Sequence, residues 1–208
     1  ATGIIDLWGI KDDGVDNLGL GRRDIVPEED FRYRLFGQHR QRLESGWEVT
    51  AESGLLSDRT FLEQYYEREW DELRSPRTGV RIKRLDNNRS LSLEANGQVN
   101  DFFTETQWLP RLDHYWLGEA LLGDRITWYE HTSLAYADQN VASFPTNPTL
   151  ASQFVYLPWE VDSLGNPVSP NGERLTTRHE FDVPFQLGAV KVVPFALGEL
   201  GHWGEDLE

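Results

Sequence analysis

The chain has 208 residues, with 20 Lys and Arg against 35 Asp and Glu for a formal net charge of −15, and it contains neither Cys nor Met. The missing Cys excludes disulfides and thiolate metal sites. The acidic balance argues against a general nucleic-acid surface, which carries a basic footprint, and no apolar run approaches the ~18 residues of a transmembrane helix. With no Met and an Ala1-Thr2-Gly3 start, the chain reads as a processed or excised piece, so the lack of a visible signal peptide says nothing about secretion.

Residues 3–10 read as a short strand, followed by a polar, Gly-rich loop over 11–30. Phe31 to Leu43 reads as a strand with Phe31, Tyr33 and Leu35 on one face. Arg32, Arg34, Gln38, Arg40 and Arg42 fall mainly on the other face, because a period of two sends successive side chains to opposite sides. A turn at 44–46 precedes a return strand from Trp47. The charged stretch 57–78 contains FLEQYYEREWDEL, whose periodicity fits a short helix or a strand extension. Val80 to Leu85 and Arg89 to Val99 are strands around a turn at 86–88. In the second, Leu91, Leu93, Ala95, Gly97 and Val99 oppose Ser90, Ser92, Glu94, Asn96 and Gln98.

Trp108 to Asp138 reads as a long hairpin about Gly123-Asp124, a strong turn dipeptide. In its second arm Ile126, Trp128, Thr132, Leu134 and Tyr136 share a face interrupted by Glu130, opposite Arg125, Thr127, Tyr129, His131 and Ser133. A Pro-rich loop follows over 138–173, and loops of that length are often functional. Arg174 to Leu187 and Ala189 to Trp203 form a last hairpin about Gly188. Pro110, Pro184 and Pro194 lack a ladder donor, so each marks a bulge, an edge or a strand end.

About nine strands are therefore expected, with connections that alternate long and short. The expected fold is an all-β, antiparallel up-and-down meander. Segregation of brief turns from long loops is the habit of an outer-membrane β-barrel, so the whole of 1–208 is expected to be a partial transmembrane barrel domain. Its long loops lie at 11–30, 57–78 and 138–173.

The residues carry a family resemblance. The run 32–70 resembles the barrel of the LptD family, the organic solvent tolerance proteins, through Gln38-His39, Trp47-Glu48-Val49 and a Ser57-Asp58-x-x-Phe61 motif. LPRLDHYWLG, with Pro110 and Asp113, resembles a Pro-x-Leu-Asp strand of that family, and 178–203 resembles its paired strands with a mid-strand Pro. Phrases such as NDFFTETQWLPRLDHYWLG are most similar to divergent planctomycete-type members. The resemblance implies an outer-membrane translocon that assembles lipopolysaccharide or a related lipid in the outer leaflet. It also implies a barrel of about 26 strands, a lipoprotein plug and periplasmic bridge proteins as partners. The chain departs from the family in its strand number, in lacking a recognisable jelly-roll and in lacking the family's cysteines.

Other chemistry is less favoured by the residues. Asp113 with Glu130 can be written as a glycosidase pair, which needs two carboxyls about 5–9.5 Å apart, but a chain this acidic holds accidental pairs. The five His have no metal-ligand spacing, and no nucleophile elbow or phosphate loop is present. Ser57-Asp58 reads as a turn that ends a strand. The basic side of 32–42 reads as a face balanced by Glu48 and Glu52.

The expected protein is thus a lipid-transporting barrel segment of the cell outer membrane, in contact with its bilayer, not an enzyme, with no cofactor and no nucleic-acid partner. Glu94, Asn96, Gln98, Arg125, Thr127 and His131 are the candidate lumen-facing residues. Leu93→Arg is expected to impair folding and Glu94→Arg to be tolerated. The alternative is a soluble β-sandwich that binds carbohydrate on Trp108, Trp116, Trp128 and Trp159.

Overall fold

Period-two alternation governs the architecture. The computed structural model describes residues 1–72, 77–145, 148–153, 163–164 and 168–204. Its strands are β1 (Thr2–Lys11), β2 (Phe31–Arg42), β3 (Trp47–Leu56), β4 (Thr78–Asp86), β5 (Arg89–Gly97), β6 (Glu105–Leu121), β7 (Ile126–Asn140), β8 (Asn171–Asp182), β9 (Phe185–Leu187), β10 (Val190–Val192) and β11 (Phe195–Trp203). Nine of them form one antiparallel up-and-down sheet, ordered β1 through β8 and then β11. The sheet is not closed into a barrel, and β1 and β11 are its edges.

The four short turns lie at one end of this sheet and the four long connections at the other, as the alternating connection lengths predict. Two details differ from the sequence reading. The β6–β7 turn is not the dipeptide Gly123-Asp124, because Leu121 pairs with Ile126 and leaves a four-residue tip. Leu122, Gly123 and Asp124 there all have positive φ. The last hairpin is interrupted where Pro184 and Pro194 fall between the Asp182–Phe195 and Phe185–Val192 pairs, the Pro194 carbonyl accepting the Val183 N–H at 2.9 Å. Neither Pro offers an N–H, so the ladder stops there and resumes as the small β9–β10 tip. The third internal proline, Pro110, lies in the register shift between Trp108 and Arg111.

The stretch 57–72 resolves the helix-or-strand ambiguity as two short helices, α1 (Phe61–Tyr65) and α2 (Glu67–Asp71). Asp58 starts them: its Oδ1 accepts the backbone N–H of Thr60 at 3.1 Å, an Asx turn that bends the chain off the end of β3. A third helix, α3 (Pro148–Gln153), belongs to the β7–β8 connection.

Among the described residues, the buried apolar side chains larger than Ala lie at the long-loop end. Leu56, Phe61 and Leu62 form one cluster, walled by Trp8, Tyr65, Tyr66, Trp70, Phe102 and Phe103. Leu18, Ile25 and Leu150 form another. Phe61 is fully buried, edge-on to Trp8 at 5.4 Å and near Tyr65 at 5.3 Å. Truncating such an aromatic costs about 3–5 kcal/mol. Phe61→Ala is therefore expected to raise amide hydrogen exchange over 57–72 while the β6–β7 ladder keeps its protection.

Candidate functional site

Cross-strand pairing sorts the sheet into two chemically opposite faces. Residues directly opposite in a ladder share a face, so a row can be followed from strand to strand. One such row is Val49, Ile82, Leu93, Leu112, Leu134 and Leu175, aliphatic across six consecutive strands. With it on the same face lie Ile5, Leu7, Leu35, Val80 and Leu91, all exposed. No second sheet covers them among the described residues.

The neighbouring row, on the opposite face, is Arg42, Glu48, Lys83, Ser92, Asp113, Ser133 and Thr176. The row beside it is Arg40, Thr50, Arg81, Glu94, Arg111, Ala135 and Arg174. In these two rows six bases stand against three acids, although the chain as a whole is strongly acidic. Side chains crowd on this face: Thr50, Ser90, Asn96, Asp113 and Ser133 are all buried, and no second sheet covers them among the described residues.

A groove of about 460 Å³ runs over the polar face between β4 and β6. Arg81 and Lys83 line one side, Ser90, Ser92 and Glu94 its floor, and Arg111, Asp113 and Tyr115 the other side. Asp113 is held by the Arg111 guanidinium at 2.8 Å and lies 2.9 Å from the His131 Nε2. Tyr115 stacks flat on His131 with ring centroids 4.0 Å apart. Among the described residues Arg81 and Lys83 form no ion pair, so the groove presents two uncommitted cations beside fixed acceptors and hydroxyls.

The long-loop end closes over the same face. Arg32, Arg34 and Leu56 point from the strands into the loops, and the loops answer with carboxylates. The Arg32 side chain is wholly buried; it donates to Asp16 at 2.6 Å, to both oxygens of Asp58 at 3.0 and 2.9 Å, and to Thr60 at 2.9 Å. Arg34 pairs with Glu69 at 3.0 Å, Arg22 with Glu63 at 2.6 Å, and Arg59 with Glu28 at 3.0 Å. Arg59 also donates to the Ser143 carbonyl at 2.9 Å, and Asn100 bonds the backbone of Leu56 and Gly54. These contacts tie all four long connections into one cap.

Two of the expected lumen residues, Glu94 and Asn96, and a third, His131, lie on the polar face. Thr127 shares that face near the short-turn end. Gln98 lies just beyond β5, its amide donating to the Phe103 carbonyl at 2.7 Å. Arg125 is in the exposed β6–β7 tip rather than on the wall. Of the motif residues, Gln38 donates to Glu52 at 2.5 Å, His39 is exposed on the apolar face, Trp47 lies beneath Arg84, and Ser57 donates to Asp58 at 2.6 Å. Phe61 and Asp58 hold the cap, and Pro110 marks the β6 bulge.

The structure separates two groupings the sequence allowed. Asp113 pairs with Ser133 and Glu130 with Trp116, three residues away on each strand, so the two carboxylates project from opposite faces and cannot flank one bond. Trp108 lies on the polar face and Trp116 and Trp128 on the apolar one, so they form no single platform; Trp159 lies outside the described residues. The burial of Arg32 inside the cap is not readable from its alternation. The one available signal is Ser57-Asp58 and Asp16, acids in flanking loops for which β2 supplies the counter-charge. Among the described residues, no group of three or more His, Asp or Glu is placed to hold a metal ion.

Comparison of the chain with protein-family models, with curated proteins and with solved structures returns no match. The geometry of the site therefore carries the functional argument.

Two outcomes follow from the cap. Arg32→Ala leaves Asp16 and Asp58 buried without their counter-charge, and breaking a buried pair in this way costs about 3–5 kcal/mol. It is expected to expose 57–72 to protease, whereas Arg42→Ala, at the exposed turn end, is not. The second outcome concerns pH. Burial, and then donation to Asp12, push the Tyr65 phenol up to about 12. The stability contributed by the neutral phenol is full below its usual value of about 10 and is lost as pH rises through the raised one. The ultraviolet difference between the protein and Tyr65→Phe should report a phenol ionising near pH 12; ionisation near 10 would mean that the cap does not bury this ring.

Proposed function

We propose that the chain is a segment of an outer-membrane β-barrel wall whose polar face lines a lumen for lipopolysaccharide or a related lipid, in keeping with the LptD-like motifs. The observation that carries this reading is the bare apolar face. An aliphatic row across six strands, exposed on five of them, is an aggregation hazard in water and the expected surface against a bilayer. A soluble sandwich buries its apolar face against a second sheet and leaves the polar face to water. Here the apolar clusters sit beneath the loop cap, which folds over the polar side.

The stagger of the turns supports the same reading. Trp47, the first residue of β3, pairs with Arg84, two residues short of the end of β4; Arg89, the first of β5, pairs with Trp116, five short of the end of β6. A shift in one direction is the shear that tilted barrel strands require. The two open edges are then sites where further strands add.

In this reading the head group of a lipid moves along the groove past Arg81, Lys83 and Arg111, and its acyl chains leave sideways. The cap anchored on Arg32 narrows the long-loop end of the lumen. No covalent step is required, and the wall residues act together by presenting charges and hydroxyls that replace water around the head group.

A charge on the bilayer face near mid-membrane costs about 2–4 kcal/mol, so Leu93→Arg should lower folding yield in a bilayer-insertion assay. The structure changes the choice of control. Glu94 bonds Arg77 at 3.2 Å and lies opposite Arg81 and Arg111, so Glu94→Arg gathers four cations instead of being neutral. Glu94→Gln is expected to insert normally. Equal insertion of Leu93→Arg and Glu94→Gln would reverse the assignment of the two faces.

A further inference from the structure

The apolar face is interrupted in one place. On β5 through β8 a single row holds Arg89, Trp116, Glu130 and His179, and the adjacent row holds His114, Thr132 and Thr177. Trp128 and Phe181 border the patch toward the short-turn end. Most of its polar groups satisfy one another. His114 Nδ1 lies 2.6 Å from Glu130, the Thr132 and Thr177 hydroxyls are 2.8 Å apart, Thr177 is 3.1 Å from His179, and the Trp128 indole N–H donates to His179 at 3.2 Å.

Three groups are left over. Glu130 has one oxygen engaged by His114, yet its side chain is only 6% exposed. The Trp116 indole N–H is buried without a partner among the described residues. The Arg89 guanidinium lies over the Trp116 ring at 4.4 Å and forms no ion pair among the described residues. A carboxylate on a face that meets hydrocarbon is costly and marks a functional position by default. Here it sits two strands from an uncommitted guanidinium, about 10 Å away at the backbone, and the long Arg89 side chain leans toward it over the intervening Trp116.

We infer that this patch binds the phosphoethanolamine head group of a bilayer phospholipid. The inference rests on the reading that the apolar face meets a membrane. The phosphate takes the Arg89 guanidinium and the Trp116 N–H, and the ammonium, two carbons away, donates to Glu130. A zwitterion of this order matches the order of the row, with its anion at the β5 side and its cation at the β7 side. A quaternary ammonium fits less well. It donates no hydrogen bond to Glu130, and the rings it needs are engaged, Trp116 by Arg89 and Trp128 by Trp116, 4.7 Å away between centroids. An acidic head group without a cation leaves Glu130 facing like charge.

The test uses tryptophan fluorescence of the intact protein in phosphatidylglycerol vesicles. The vesicles carry a minor fraction of acyl-brominated phosphatidylethanolamine, phosphatidylcholine or N-acetylated phosphatidylethanolamine. Stronger quenching by the ethanolamine lipid than by the other two is expected, with the excess lost in Glu130→Gln and in Arg89→Gln. The N-acetylated lipid removes the ammonium while leaving the protein intact, so the result does not depend on a variant folding. Equal quenching by all three lipids would overturn the head-group site and leave the barrel reading standing. No quenching by any of them would overturn the barrel reading itself.

Discussion

Register is the constraint on which the rest depends. A slip of one residue between any two strands would move every aliphatic side chain of one strand to the other face. The row from Val49 to Leu175 holds across six strands because each pairing keeps parity, and where a bulge intervenes near Pro110 and Gly118 the parity is restored. Gly118 permits this with φ of +100°, a conformation that L side chains rarely adopt. Polar residues do not merely tolerate the opposite face. They pair across strands, as Asp113 of β6 does with His131 of β7 while Arg111 of its own strand holds the carboxylate, and so support the register that the apolar face needs.

The cap depends on the sheet in turn. The sheet alone has no interior, because its apolar side is bare and its polar side is a field of charges. Burial becomes possible only where Trp8, Arg32, Arg34 and Leu56 meet the returning loops. There Arg32 gathers two carboxylates and a hydroxyl from two different loops, and the aromatic cluster of Phe61 shields the ion pairs from water. The loops thus behave as a folded element docked on the polar face. They limit that face at one end, while the groove between β4 and β6 stays open beside it.

Much of this is legible in the sequence, and the reason is periodicity. Leu91 to Gly97 alternates without a break, so its facing follows from the residues alone, and the same is true of Leu134 and Tyr136 against Ser133 and Ala135. The parity of long and short connections is legible because turn residues are cheap to recognise. What escapes is anything decided by residues distant in sequence. Arg32 and Arg40 look equivalent along β2, yet Arg32 is buried by loops 16 and 26 residues away while Arg40 stays exposed. Glu130 reads as an interruption of a strand face, and only the pairing with Trp116 and His179 places it inside a polar patch. Four tryptophans suggest a platform until the register puts Trp108 on the far side of the sheet from Trp116 and Trp128.

The central claim is that one face of the sheet meets hydrocarbon and the other water. The chain has no Cys, so single spin-labelled cysteines can be placed along Ser90 to Asn96 without background. Their collision with oxygen, which partitions into bilayers, is compared with their collision with a water-soluble nickel chelate, in the intact protein in a bilayer. The account predicts two out-of-phase oscillations of period two, oxygen highest at Leu91, Leu93 and Ala95 and nickel highest at Ser92 and Glu94. Oscillations in phase, or nickel access at Leu93 as high as at Glu94, would contradict it.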